Sequence, residues 1–176
     1  PARAVAREVE SRGVRALALH VDVSDRTSVE TLAEKVYGEF GAAHVLCNNA
    51  GVGAGGPLDQ CTDDDWRWVL AVNLDGVVHG LQAFLPRMKR QDGEKHVVNT
   101  ASMAGLIAFP GLGPYTASKY AVVGISETLR AEGASCGLGV SVLCAGLVRT
   151  NITSSQRNRP AALSRSRGRP EVLAEQ

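Results

Sequence analysis

Apolar positions along this chain fall into two alternating patterns. Short, almost continuous apolar runs occur at 16–23, 44–47, 96–102 and 140–144, and between them lie longer stretches where apolar residues recur every three or four positions. The first pattern suits strands buried in a parallel sheet, the second amphipathic helices laid against it. From Arg26 to Phe40 the helical period is carried by Val29, Leu32, Ala33, Val36, Tyr37 and Phe40, with Ser24 and Asp25 as starters and Gly41 as a stop. Thr62 to Asp65 supplies a cap and first-turn acids for a long helix through Trp66, Val69, Leu70, Val72, Leu74, Val77, Leu81 and Phe84 toward Met88. A further helix is predicted from Tyr115 to Ala134. Loops rich in turn residues follow three of the runs: 48–53, 105–114 and 145–150. Strands alternating with helices predict an α/β fold, a doubly wound parallel sheet covered on both faces.

Composition narrows the function classes. A length of 176 residues suits one domain, and 44% hydrophobic with 21% charged residues is ordinary globular composition. A net charge of +1 provides no global field for nucleic acid or anionic lipid. No run approaches the ~20 apolar residues that span a bilayer, and the first residues lack a signal-peptide pattern. The expectation is a soluble, cytoplasmic protein with neither nucleic-acid nor membrane partners. Cys47, Cys61, Cys136 and Cys144 show no C-x-x-C spacing and read as buried free thiols. His20, His44, His79 and His96 fall in or beside apolar segments without a G-x-S-x-G elbow, and no residue cluster has metal-ligand spacing, so neither hydrolase nor metal chemistry is indicated.

Open parallel sheets bind ligands at the carboxyl ends of their strands, and here the polar residues gather there. Asp22, Asn48 to Gly51, Ser102 and Gly146 each follow a predicted strand. In Tyr115-Thr116-Ala117-Ser118-Lys119 a phenol and an ammonium stand one helical turn apart on one face. A phenol titrates near ~10, and a fixed cation beside it draws the pKa toward the working range.

With Asp22-Val23, Asn48-Asn49-Ala50-Gly51, Asn73, Ser102, Tyr115 and Lys119 in this order, the chain resembles the short-chain dehydrogenase/reductase family from about Leu17 to about Thr153. The resemblance implies a Rossmann-type fold and hydride exchange between NAD or NADP and a secondary alcohol or ketone. It further implies that Tyr115 is the acid/base, that Lys119 lowers its pKa and holds the nicotinamide ribose, and that Ser102 hydrogen-bonds the substrate oxygen. Asn73 would distort its helix and position a water linking Lys119 to solvent. Asp22 would accept from the adenine amino group with the Val23 backbone alongside, Asn49, Ala50 and Gly51 would pass close to the adenosine ribose, and Thr150 would reach the nicotinamide carboxamide. Asn48 looks like a brace between strands. Homo-oligomerisation of the full-length parent through the Thr62 and Tyr115 helices is implied in the same way.

Two departures from the family pattern qualify this reading. Ala145 stands where the family usually has proline, and no G-x-x-x-G-x-G turn, which would hold the cofactor pyrophosphate, occurs in the sequence. Pro1 to Glu10 resembles the end of the helix that precedes the Asp22 strand. The expectation is therefore an N-terminally truncated member: residues 1–153 form a partial Rossmann domain lacking the first β-α-β unit. Residues 154–176, rich in Arg and Ser, form a solvated or mobile part of the substrate-loop region. The alternative is a catalytically inactive truncated paralogue or regulatory subunit unable to bind cofactor.

Overall fold

A computed structural model describes residues 2–163 of the chain. Three strands, β1 (Val45–Asn48), β2 (Lys95–Thr100) and β3 (Leu138–Leu143), form a sheet in the order β1-β2-β3. All pairings are parallel, with Leu46 opposite Val97 and Val97 opposite Val140. Helix α1 spans Ala2–Glu10, α2 Arg26–Phe40, α3 Asp63–Leu70, α4 Gly76–Met88 and α5 Gly113–Gly133. Their order gives the crossover α/β layout that the sequence predicts.

Local chemistry accounts for the helix ends. Asp25 caps α2 by accepting from the Thr27 N–H, and Gly41 closes it in the left-handed conformation at φ 79°. Thr62 and Asp65 form a reciprocal capping box on α3. Between α3 and α4 the residues Ala71–Asp75 wind as one π-helical turn, with Asn73 inside it. This is the local distortion expected at Asn73.

The core lies between one sheet face and the helices α4 and α5. Val77, Leu81, Phe84 and Met88 from α4 and Val122 and Leu129 from α5 pack with Val97 and Leu138, while α2 adds Ala33 from behind. Polar residues cross this face as one chain: Asn48 Nδ2 donates to Asn99 Oδ1 at 2.9 Å, and Asn99 Nδ2 donates to Ser126 Oγ at 2.9 Å. Asn48 is the inter-strand brace that its position suggested. A second, smaller cluster joins Val52, Ala54, Trp68 and Val69, with Leu163 packed against it.

Several expectations are corrected. Residues 16–23 form no strand among the described residues, because an apolar run becomes a strand only with a neighbour to share its backbone hydrogen bonds. Helices cover one face of the sheet, whereas Val45, Cys47, Ser141 and Leu143 on the other are exposed. Cys47 is consequently an exposed thiol, and the other three cysteines are half-buried rather than buried. The helical stretch Asp63–Met88 is long and apolar enough to count as a candidate membrane span by length and composition. Its buried residues Val77, Leu81, Phe84 and Met88 belong to the core, which accounts for that composition.

The described part of the segment from residue 154, expected to be solvated, is mostly exposed, with two buried side chains as the exception. It winds through short 3-10 turns at Asn151–Asn158 and Ala161–Leu163, and Ser155 and Arg159 within it are buried. Arg159 Nη1 donates to Asp65 Oδ1 at 2.6 Å, and its guanidinium lies 5.2 Å from the Trp68 ring centroid. Ser155 Oγ accepts from the Gly53 N–H at 3.2 Å. Residues 164–176, the remainder of this predicted segment, lie outside the described residues.

Candidate active site

β2 ends at Thr100, and the chain turns through Ser102 into a single 3-10 turn at Met103–Gly105, with Ser102 Oγ accepting from the Ala104 N–H. Helix α5 begins a few residues later, so Tyr115 sits in its first turn and Lys119 one turn further on. Tyr115 stands close enough to Ser102 for the serine side chain to act on its phenol, lowering its pKa. Lys119 is buried, lies 5.6 Å from the Tyr115 ring centroid, and donates from Nζ to the Thr100 carbonyl at 2.8 Å. The three residues implied as Ser-Tyr-Lys chemistry are thus held together at the carboxyl edge of the sheet.

Asn73 joins this group from the π-turn. Its Oδ1 accepts from the Val52 N–H at 2.8 Å, and its Nδ2 donates to the Val52 carbonyl at 3.0 Å and to Ser118 Oγ at 3.1 Å. The side-chain amide therefore clamps the loop after β1 onto α5. A methyl group at Gly51 would sit 3.6 Å from Asn73 Oδ1 and 3.7 Å from Lys119 Nζ, which places the loop backbone directly over both. Exposed Asn49 accepts at Oδ1 from Thr100 Oγ1 at 3.0 Å, next to the carbonyl that Lys119 holds. Ala50 beside it is exposed.

Charge behaves differently from the expectation at Tyr115. Burial pushes its phenol above the ordinary value, only partly offset by the Ser102 hydrogen bond, so the predicted lowering by Lys119 is not what dominates. Burial alone also depresses the Lys119 ammonium, to about 8. Desolvation acts on both groups by penalising their charged forms.

Asp22 and Val23 stand on a separate part of the edge. Asp22 is exposed, and its Oδ1 accepts from the Ser24 N–H at 3.0 Å and the Ser24 hydroxyl at 2.7 Å. The Val23 carbonyl lies 2.9 Å from His79 Nδ1 of α4, and a Cβ at Gly76 would stand 2.8 Å from Val23 Cγ2. Close approach at Gly76 and the His79 contact thus fix the segment to α4. Thr150 is exposed in the loop after β3, where its hydroxyl accepts from the Ile152 N–H at 3.3 Å.

Sequence reasoning missed several residues that build this site. Ser118, the last variable position of Tyr-x-x-x-Lys, connects Asn73 to the Tyr115 carbonyl, to which it donates at 2.6 Å. His79, one of four histidines in or beside apolar segments, holds the Val23 carbonyl. Its one-turn spacing from Gly76 on the long helix was the signal available. Asp65 was read only as a cap, and its 94-residue separation from Arg159 left no local signal.

The open groove of about 490 Å³ between α1 and residues 16–21 lies elsewhere and is lined by apolar side chains such as Val5, Val9, Leu17 and Leu32. It offers no proton-transfer group.

Comparison with known proteins identifies the family. The family model described as short chain dehydrogenase matches residues 1–161. A Cα-dehydrogenase of Sphingobium sp. strain SYK-6 is 36% identical over 155 residues, covering 88% of this chain and 51% of that protein. The crystal structure of a short-chain dehydrogenase/reductase from Burkholderia phymatum in complex with NAD superposes with a TM-score of 0.91 at 42% identity, over 96% of this chain and 60% of that one. A gluconate 5-dehydrogenase from Burkholderia cenocepacia, in complex with NADP and tartrate, superposes with a TM-score of 0.80 at 30% identity, over 92% and 62% respectively. The chain spans about half the length of the first curated relative and three-fifths of the first of these structures. On the family match and these Rossmann-like neighbours, the chain belongs to the short-chain dehydrogenase family.

Proposed function

We propose that this chain forms the proton-transfer side of an NAD(P)-dependent oxidoreductase that interconverts a secondary alcohol and a ketone. The observation that carries the reading is the assembly of Ser102, Tyr115 and buried Lys119 at one carboxyl edge, with Lys119 Nζ 5.6 Å from the Tyr115 ring centroid and held by the Thr100 carbonyl. In reduction, the Tyr115 hydroxyl donates its proton to the oxygen of the carbonyl as hydride reaches the carbon. In oxidation the phenolate accepts that proton and the carbinol hydrogen leaves as hydride. A phenol raised by burial is protonated at neutral pH and so is ready to act as the acid. Ser102 shares charge developing on the substrate oxygen through a hydrogen bond that strengthens as the charge grows. Lys119, positively charged below about pH 8, stabilises the phenolate left behind.

The residues suit a nicotinamide dinucleotide on the sides they cover. Lys119 Nζ and the Gly51 backbone approach each other with no large side chain between, and exposed Asn49 and Ala50 leave room for a ribose. Asp22 and Val23 would hold the adenine, and Thr150 the carboxamide. The dinucleotide supplies the hydride acceptor or donor when bound. Asn73 acts in this reading by clamping the Val52 backbone and Ser118, with both Nδ2 hydrogens donated and Oδ1 accepting from the Val52 N–H. A cytoplasmic location and a homo-oligomeric full-length protein belong to the same proposal.

The test is reduction of a ketone series by NADH and NADPH with the protein at its natural full length, alongside Tyr115→Phe. Loss of about 100-fold or more in kcat, with the melting temperature unchanged, supports the assignment. Turnover equal to wild type in the variant refutes it.

A further inference from the structure

The wall beside the Ser102 and Tyr115 hydroxyls has a composition that selects among alcohols. Between these two residues the chain reads Met-Ala-Gly-Leu-Ile-Ala-Phe-Pro-Gly-Leu-Gly-Pro from 103 to 114, without one charged or hydrogen-bonding side chain. The loop is held rather than loose. The Leu106 and Ile107 N–H groups both donate to the Met103 carbonyl, and the Gly56 N–H donates to the Gly111 carbonyl at 2.7 Å. A parallel bridge between Gly56 and Leu112 joins it to the segment that carries Leu58.

Apolar side chains on this loop, which starts directly after Ser102 and runs into the helix that carries Tyr115, face solvent. Met103 is 41% exposed, and Leu106 and Ile107 after it are exposed. The loop after β3 adds to the same wall. The Met103 N–H donates to the Ala145 carbonyl at 2.9 Å, and a Cβ at Gly146 would stand 3.2 Å from the Met103 sulfur. Leu147 and Val148 come next, Leu147 at 98% exposure. Exposed apolar side chains on the two loops that adjoin Ser102 suit a ligand surface. A carboxylate, a phosphate or a row of polyol hydroxyls placed there would lose water and gain no side-chain partner from residues 103–114, which disfavours it.

We infer that the substrate is a secondary alcohol or ketone with an alkyl or aryl substituent seated on Met103, Leu106, Ile107 and Leu147, and that hydroxy acids and polyols are disfavoured. This rests on the oxidoreductase reading above and adds the substrate class to it. Chain position identifies the occupant: Met103 directly follows Ser102, whereas Val5, Val14 and Val45, also exposed, are far from Ser102 and Tyr115 in the sequence.

Two measurements on the full-length protein test the inference. In a 2-alkanone series of increasing chain length, kcat/KM should rise about fourfold per added methylene and exceed that for a keto acid or keto-polyol of equal carbon number. Ile107→Asp, at an exposed position, should flatten the series. The second measurement needs no turnover. This chain has two methionines, and Met88 is fully buried while Met103 is exposed, so the methyl signal lost in Met103→Leu identifies Met103. In Tyr115→Phe, titration with a long 2-alkanol should shift that signal saturably, and an equimolar polyol should not.

A flat chain-length series, or better Tyr115-dependent turnover of polyols and keto acids, overturns the substrate class and leaves the oxidoreductase reading intact. If no ketone is turned over, the oxidoreductase reading fails. The Met103 signal then decides the apolar site by itself, and an unmoved signal overturns it.

Discussion

The two sides of this site's carboxyl edge are built from opposite materials. Around Tyr115, buried groups hold one another: Asn73 grips Val52 and Ser118, Ser118 grips Tyr115, and Lys119 grips Thr100. Around Asp22 the carboxylate is exposed and bonded to its neighbour Ser24, and the preceding apolar run forms no strand. Proton transfer needs reacting groups fixed to a fraction of an ångström, whereas recognition of an adenine rim tolerates a short exposed turn. The difference teaches where a substitution should affect rate and where it should affect only binding.

The strongest way to break this comparison is to remove one polar group from each side, the phenol hydroxyl of Tyr115 and the carboxylate of Asp22. Tyr115→Phe should lower kcat about 100- to 10,000-fold. By contrast, Asp22→Ala should raise the KM for the dinucleotide by roughly two- to tenfold with kcat preserved, because an exposed hydrogen bond contributes little and uniformly. Steady-state kinetics on both variants, with circular dichroism to verify folding, decides it. A large kcat loss in Asp22→Ala would erase the distinction.

The next effect concerns the strap after β3. Burial acts to raise the Asp65 carboxyl, but hydrogen bonds from Arg159 and Thr62 and the charge of Arg159 outweigh it and hold it well below the usual carboxylate range. Arg159→Met should cost about 3 kcal/mol in urea unfolding, since removing one partner strands a buried carboxylate that retains its Thr62 bonds. The exposed pair Arg15–Glu39 is the control, and Arg15→Met should cost ~0.5 kcal/mol or less. Equal losses would mean that the strap is no better anchored than the surface.

These examples show what was legible before the fold was known. Helix periods, the Thr62 capping box and the Gly41 stop are local, and each appears at its expected place. The Ser102, Tyr115 and Lys119 constellation was legible as a resemblance and is assembled in space. Residues 16–23 failed because apolarity signals burial, while a strand needs a partner that the sequence pattern cannot guarantee. Arg159 failed for a related reason: an Arg-rich composition reads as solvated, yet one guanidinium is buried by a carboxylate 94 positions away. The direction of the Tyr115 shift also depended on burial, which the one-turn spacing to Lys119 does not reveal.

A smaller effect separates two asparagines of the edge. Asn73 is buried with its amide engaged on Val52 and Ser118, whereas Asn49 is exposed with a bond to Thr100. Asn73→Leu, close in shape, should cost about 1–3 kcal/mol by leaving the Val52 N–H and carbonyl buried without partners. Asn49→Ala should stay within ~0.5 kcal/mol. Urea midpoints at unchanged slope measure both, and an indifferent Asn73→Leu would show that the clamp is dispensable.

A last effect lies in the pH dependence of stability, and its sign follows from burial. Folded Lys119 loses its proton near pH 8, while the unfolded chain holds it until the ordinary value of 10.5. Between these values the unfolded state binds more protons, so stability from this residue rises with pH and its penalty is fully present below 8. Tyr115 acts in the opposite sense. Its folded phenol keeps its proton above the ordinary 10.0 at which the unfolded one ionises, so stability from it falls as pH climbs past 10. The urea midpoint should therefore climb between pH 8 and 10 and level off beyond. Lys119→Met should remove the climb, and Tyr115→Phe should remove its contribution to the levelling. A climb that persists in Lys119→Met would assign the buried, titrating group on the proton-transfer side to another residue.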